Sequence, residues 1–406
     1  MSKECYIIVG DYNRDNCVDQ FKIFKNIANL YFLYFKSKND IRNKDYTKYG
    51  KALFWKDFHD AYALIKTIKV KKVFFFSLET YNEVALNVAC KKTGIKTYHI
   101  EHGIRNLVSE ASETRIIHNK NTIIKLLNPF EIISNIKNRR FFTNTIKNST
   151  NEDAFNLKNY YSIRSVNGIE DTFLKVKNSY RIANHYISFS SEIYKYHFIK
   201  DHLSKNQLVN FIGVPEFDKY SSINIQTKKV CNNIIYLSQP FVEKGVRGWT
   251  QEFQLSLIKE FSSFLEPRKL KIFIKIHPKS DMIFWNKVAK DFKNIILLKD
   301  PNDLIEKLKF NRLIFGFSST LLLPLIAQKH TVCFSLEKHP NGQLVNSFLN
   351  NKKIISRLSS IKNLDFDALD EIHSQQLAHK KEFITKWLYK LDGKSNERFN
   401  ELVLNS

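Results

Sequence analysis

The feature that most limits what this chain can fold into is a run of short apolar strands alternating with helices through its second half. Ile234–Ser238, Leu270–Ile276, Ile295–Leu298, Leu313–Phe317 and Thr331–Leu336 read as strands. Segments 251–264, 282–291, 302–308 and 319–328 read as the helices between them. Strands that alternate with helices over short connections are βαβ units, which build a parallel sheet covered on both faces. The strands are near-continuous apolar runs, as burial on both faces requires. A doubly wound sheet is therefore expected from 226 to 406, closed by a C-terminal helix read over 367–391.

The first half repeats the pattern less regularly. Cys5–Gly10 reads as a buried strand ending in a turn, followed by a helix over 18–35. Lys72–Phe76, a helix over 79–92, Gly94 and the strand 95–100 form another βαβ unit. The stretch 105–187 breaks the rhythm and reads as a helical insertion, with a helix over 123–147. Its apolar Ile124, Leu127, Ile132, Ile133 and Ile136 share one face, with Lys125, Lys137, Arg139 and Arg140 elsewhere. Such a helix packs on its own protein or lies on an anionic membrane, and both readings stand. The turn 213–218 leads towards a polar linker, which places the domains at 1–225 and 226–406.

Composition sets outer limits. Aromatics are 14% and hydrophobics 43% of 406 residues, ample for two cores. No apolar run approaches the ~20 residues of a membrane span. The charged first 20 residues do not read as a signal peptide, so a cytoplasmic protein is expected, with peripheral contact at the inner membrane left open. Cys5, Cys17, Cys90, Cys231 and Cys333 are scattered and read as reduced thiols. The net charge of +24 attracts polyanions, but it also reflects a Lys- and Asn-rich codon bias and selects no function. With no RNP-like motif, zinc finger or recognition helix in the sequence, nucleic acid is not the expected partner.

Ligands of open parallel sheets bind beyond the carboxyl ends of the strands. Three groups fall there. Glu101-His102-Gly103 follows the strand 95–100, where a carboxylate next to a Gly turn can put a base into a cleft; it is equally the pattern of a salt-bridged Glu and a loop His. His277-Pro278-Lys279 ends the strand 270–276. Its imidazole can bind a phosphate or assist a phosphate leaving group, or it can cap local backbone. Gly316-Phe317-Ser318-Ser319-Thr320 turns a strand into a helix, with hydroxyls and N–H groups suited to phosphate, or to an ordinary N-cap. No DxD loop or His/Cys/Asp cluster has metal spacing, so no metal is expected.

In these motifs and their order the chain resembles the bacterial sialyltransferases and capsular polysialyltransferases of GT-B fold. Those enzymes carry an acidic-acidic-Gly motif, a His-Pro motif and a Ser-Ser/Thr motif. The resemblance implies two Rossmann-like doubly wound domains facing a central cleft. It further implies an inverting, metal-independent glycosyltransferase moving a CMP-activated, sialic acid-like sugar onto a surface-glycan hydroxyl of capsule or lipopolysaccharide. By that resemblance Glu101 is the general base, with His102, Gly103 and Arg105 on the acceptor side. His277 is the general acid at the CMP phosphate. Pro278, Lys279, Ser318, Ser319, Thr320 and Gln239 (in Ser238-Gln239-Pro240) surround the nucleotide. Asp300, with Glu306 second, holds the ribose. His102 stands where the family has a second acid, as in the Glu/Gln-His-Gly loops of other envelope-polymer transferases. Donors such as CMP-Kdo, UDP- or GDP-sugars and CDP-glycerol therefore stay open.

Overall fold

The structure is a computed structural model that describes residues 3–10, 18–35, 44–104, 129–176, 179–223, 231–246, 248–337, 340, 348 and 351–405. The chain divides into two compact units. The first comprises Met1–Gly103, Asn119–Pro215 and Asn396–Ser406, and the second comprises Ile104–His118 and Glu216–Ser395. This division crosses at Pro215/Glu216 where the sequence suggested 225/226, and it gives the last residues to the first unit.

The first unit is built on β1 (Glu4–Val9), β2 (Ala28–Tyr34), β3 (Gly50–Phe54), β4 (Val70–Phe75), β5 (Lys96–Ile100), β6 (His185–Ser188) and β7 (Leu208–Phe211). All neighbours pair parallel, in the order β3-β2-β1-β4-β5-β6-β7. This is the doubly wound Rossmann order with one added strand. Its described helices are α1 (Ala61–Ile68), α2 (Tyr81–Lys92), α3 (Pro129–Lys147), α4 (Asn151–Val166), α5 (Ile169–Lys175) and α6 (Ser191–Lys200). Helix α2 starts at Thr80, whose hydroxyl accepts the Glu83 N–H (3.3 Å) while the Glu83 carboxylate accepts the Thr80 N–H (2.9 Å). This reciprocal cap satisfies two otherwise orphaned donors. After α2 the chain turns through Gly94 at φ +72°, a left-handed conformation that glycine adopts without a Cβ penalty.

Two readings of the first half are corrected. The helix expected over 18–35 is a short 3-10 turn, Lys22–Asn26, followed by strand β2. β2 alternates buried and exposed residues until it meets the core, and it bonds to β1 along its length. Strand β3, absent from the sequence reading, pairs with β2 at the sheet edge. The helix expected over 123–147 is described from Pro129 onward, with 123–128 outside the described residues. Its Phe141 and Phe142 are buried within the first unit, against Trp55 and Tyr81, while Ile136 is exposed. Among the described residues no helix is long and apolar enough to cross a membrane.

The second unit holds β8 (Cys231–Leu237), β9 (Ile272–Lys275), β10 (Ile295–Leu298), β11 (Asn311–Gly316), β12 (Val332–Leu336) and β13 (Ser356–Leu358). Their order is β10-β9-β8-β11-β12-β13, again all parallel and again the Rossmann order. The described helices are α7 (Gln251–Leu265), α8 (Met282–Asp291), α9 (Pro301–Leu308), α10 (Leu322–Ile326) and α11 (Leu369–Phe383). A π-helical turn, Ile384–Leu388, continues α11. The chain thus carries two parallel-sheet α/β units of Rossmann type, as its strand pattern required.

The last helix, α12 (Ser395–Leu404), returns to the first unit. Phe399 is fully buried, with its ring edge-on to Phe21 (5.6 Å) and Phe24 (5.8 Å). Lys72 is buried and donates to the Val403 carbonyl, and Arg398 Nε donates to the Ile212 carbonyl (2.8 Å). Phe399→Ala is expected to cost the first unit about 3–5 kcal/mol, the usual range for deleting a buried aromatic ring. Chemical denaturation followed by circular dichroism checks this; an unchanged midpoint would show that the tail adds nothing to stability.

Candidate active site

At the carboxyl end of β5, Glu101 is 1% exposed. Its N–H donates to the Ile187 carbonyl (2.9 Å), so the strand pairing with β6 runs into the motif. A buried carboxylate must be hydrogen-bonded or paired. Glu101 Oε2 accepts from His197 Nε2 at 2.7 Å, and Oε1 accepts the His102 N–H at 3.2 Å. His197 sits on α6 and presents Nδ1 to Asp201 Oδ2 at 3.4 Å. Asp201 accepts from Arg181 Nη1 (2.9 Å) and Nη2, and from the Tyr186 hydroxyl (3.2 Å). The Arg181 guanidinium lies over the Phe173 ring at 3.6 Å. His99, also on β5, stacks on Tyr186 at 4.8 Å and meets His197 edge-on at 4.4 Å.

Charge alternates along this buried chain of Arg181, Asp201, His197 and Glu101. Burial opposes a charged His197, but Glu101 and Asp201 overcome it and hold its pKa above the ordinary value. Burial also opposes a charged Asp201, yet His197 and Arg181 hold its carboxyl well below the usual carboxylate range. An imidazolium with both ring N–H groups donating, one to each carboxylate, fits these distances. His102 is half-buried, edge-on to Phe76 at 6.0 Å, and Gly103 is half-buried in the following bend. Arg105 lies outside the described residues.

In the second unit, His277 follows β9, and Nδ1 accepts the Lys279 N–H at 3.0 Å. A neutral imidazole accepting at Nδ1 carries its proton on Nε2, so the ring is pinned by local backbone and set as an Nε2 donor. Partial burial, then Lys244, Lys279 and Lys275, push the His277 pKa below its ordinary value. Lys275 is buried, and its Nζ donates to the carbonyls of Ile276 (3.2 Å) and Lys299 (3.0 Å). Pro278 and Lys279 are exposed.

Strand order in this sheet reverses between β8 and β11, the position where open α/β sheets place ligands. Gln239 and Ser318 meet there. Gln239 Oε1 accepts the Ser318 N–H (2.9 Å), and its Nε2 donates to Ser318 Oγ (3.2 Å). Ser318 is thereby locked at 8% exposure, while Ser319 is half-buried and Thr320 exposed. Among the described residues the N–H groups of Ser319 and Thr320 make no hydrogen bond. The helix expected over 319–328 is only Leu322–Ile326, entered through a turn in which Ser319 Oγ accepts the Leu321 N–H. Five residues carry little helix dipole, so the positive field here comes from lysines and loop N–H groups. Asp300 lies between β10 and α9. It caps α9, accepting the Asn302 N–H (2.6 Å), with Asp303 accepting the Asp300 N–H (3.1 Å). Glu306 pairs with Lys309.

Sequence reasoning missed His197, Asp201, Arg181 and Lys275. The His-x3-Asp spacing at the end of α6 was a visible signal, but a helix presents such pairs often and its partner lies 96 residues away. Among the described residues no group of three or more His, Cys, Asp and Glu side chains could hold a metal ion.

The family described as Alpha-2,8-polysialyltransferase (POLYST) matches residues 2–332 of the chain. No curated protein matches the sequence. Among solved structures, the wall teichoic acid polymerase TagF is similar at 11% identity and TM-score 0.48, over 99% of this chain and 88% of that chain. The UDP-GlcNAc 2-epimerase from Methanocaldococcus jannaschii is similar at 12% identity and TM-score 0.45, over 99% and 100%. Arabidopsis thaliana UGT89C1 complexed with UDP is similar at 10% identity and TM-score 0.47, over 99% of each chain. The fold assignment rests on the two sheets themselves.

Because the folded-state pKa of His197 is raised, its contribution to stability is complete below about pH 6.5 and is lost as pH rises through the raised value. Asp201 acts oppositely, its contribution being lost only as pH falls through its depressed value. His197→Gln is expected to destabilise the first unit by about 3 kcal/mol at pH 6, the scale for breaking a buried pair. The difference from wild type should narrow as pH rises above neutrality. Thermal melts of both proteins across pH 5–9 test this, and a pH-independent difference would rule out a charged His197.

Proposed function

The chain belongs to the alpha-2,8-polysialyltransferase family and is a glycosyltransferase; from that premise we propose that it moves a CMP-activated, sialic acid-like sugar onto a surface-glycan hydroxyl. The transfer proceeds with inversion and without a metal. The acceptor oxygen attacks the anomeric carbon opposite the phosphate, the carbon–oxygen bond to phosphate breaks, and CMP leaves. Glu101 takes the acceptor proton. The observation that carries this reading is the buried Glu101–His197 pair at the carboxyl end of β5. That pair fixes one carboxylate at the one strand end where the motif predicts a base, and orientation of this kind is what proton transfer requires.

On the donor side, His277 Nε2 donates to the phosphate, joined by the N–H groups of Ser319 and Thr320 and by the Ser319 hydroxyl. Gln239 and Ser318 shape the loop that presents them. The lysines that depress the His277 pKa also favour an anion beside it. As negative charge develops on the leaving phosphate, the His277 Nε2–H hydrogen bond to it strengthens and stabilises the departing CMP while the ring keeps its proton. Three lysines and loop donors thus supply the field that a divalent cation supplies elsewhere.

One observation favours a second assignment of the base. Both Glu101 oxygens are engaged and the residue is almost wholly buried, whereas His102 is only half-buried. His102 could then take the proton, with Glu101 fixing its backbone.

Glu101→Gln is expected to abolish transfer while leaving CMP affinity nearly intact, and His277→Ala to weaken both. Ser319→Ala should raise the donor KM or lower kcat about tenfold or more, the worth of one hydrogen bond to a charged phosphate. Steady-state kinetics and calorimetric titration with CMP, CDP, UDP and GDP read these outcomes. Full activity of Glu101→Gln with loss in His102→Gln would transfer the base role to His102. Failure of CMP to bind would refute the donor assignment.

A further inference from the structure

Strand β8 lies between β9 and β11 in the second sheet, so the loop after β8 leaves the sheet between the loops that carry His277 and Ser318. It is bonded to both. Gln239 locks Ser318 through its N–H (2.9 Å) and its Oγ (3.2 Å). Further along the loop, Glu243 turns to the other neighbour, and its Oε1 accepts the Asp281 N–H at 2.6 Å. Gln251, at the start of α7, donates Nε2 to Asp281 Oδ2 (3.4 Å). Asp281 closes the His277 turn. Within that turn the Lys279 N–H donates to His277 Nδ1 (3.0 Å), and the Ser280 N–H donates to the His277 carbonyl (2.9 Å). Asp281 then caps α8, accepting the N–H groups of Ile283 (2.9 Å) and Phe284 (3.4 Å). The turn is thus pinned by β9 at one end and, at the other, by α8 and Glu243.

The loop after β8 is stiff enough to couple its two neighbours. The N–H groups of Lys244, Gly245 and Val246 donate back to the carbonyls of Pro240 (3.0 Å), Val242 (2.9 Å) and Phe241 (2.9 Å). Gly245 takes a left-handed φ of +62°, which glycine adopts without a Cβ penalty. Phe241 packs on Trp249 at 4.5 Å, and Trp249 meets Phe317 edge-on at 5.0 Å, directly before Ser318. Glu243 itself is exposed. One exposed hydrogen bond is little beside the stability of a whole unit, but it shifts the population of a short turn about fivefold. Glu243 also precedes Lys244, whose charge reaches the His277 ring.

We infer that Glu243 is a positioning residue for His277: by accepting the Asp281 N–H it ties the His277 turn to the loop that locks Ser318, and so sets the spacing of the two phosphate-facing groups. This deepens the proposed function, on which it rests for its consequence in donor binding. Nitrogen-15 NMR of the full chain labelled at histidine, without ligand at pH 7.5, reads the His277 tautomer, with the signal assigned by its loss in His277→Ala. Wild type should show one tautomer, with the proton on Nε2. Glu243→Ala should show a mixture of both tautomers and bind the donor nucleotide about fivefold more weakly, with melting temperature unchanged. Glu243→Gln, whose amide oxygen can accept the same N–H, should restore the single tautomer and the affinity, whereas a purely electrostatic role would move both variants together. A wild-type tautomer in Glu243→Ala, or equal impairment of the two variants, would overturn the inference. If the tautomers mix in Glu243→Ala while binding of CMP, CDP, UDP and GDP stays at the wild-type level, the positioning of His277 stands and its proposed phosphate role falls.

Discussion

An ionised side chain taken out of water costs several kcal/mol unless another charge meets it, and the first unit places four such groups in a row. Asp201 is satisfied by Arg181 and His197, and His197 by Asp201 and Glu101. Each member is held by its neighbour, so the chain ties a 3-10 turn (Ser179–Arg181), helix α6 and the end of β5 into one geometry. Removing any one leaves an uncompensated charge in the core. The carboxylate at the motif is therefore positioned by tertiary contacts rather than by its own loop.

The second unit solves a different problem by different means. The carboxyl edge of its sheet gathers Lys244, Lys275 and Lys279 around His277, and the ring responds with a lowered pKa and a fixed tautomer. One unit thus raises the pKa of a histidine held between two carboxylates, while the other lowers the pKa of a histidine set among lysines. The same side chain is set to opposite protonation tendencies by its surroundings, which is how two carboxyl edges of one architecture acquire different chemistry.

The reversal points of both sheets carry polar constellations, and this follows from the packing of parallel sheets. Strands buried on both faces are mostly apolar, so polar side chains concentrate at their ends. In the second unit the reversal holds the Gln239–Ser318 lock. In the first it holds the opening of α2, where burial pushes the Glu83 carboxyl up to about 7 even as its cap bonds to Thr80 and Glu79 pull it down.

Much of the architecture was legible because it is written in short-range patterns. Apolar runs of strand length, helical periodicity and turn residues identified the second sheet nearly strand for strand, and they put Glu101, His277 and Ser318 at strand ends. Where a segment's local pattern was ambiguous, reading failed: 28–34 is apolar enough for either helix or strand, and only its bonding to β1 decides. Asp300 shows the converse, since an Asp before Pro301 and three residues ahead of Asp303 is a local cap and takes that role. The amino-acid sequence alone determined the two parallel sheets and the positions of the motifs on them. Which side chains meet those motifs, as His197 meets Glu101 and Phe399 meets Phe21, was decided by tertiary structure. Such pairings depend on which distant elements lie side by side, and no local periodicity encodes that.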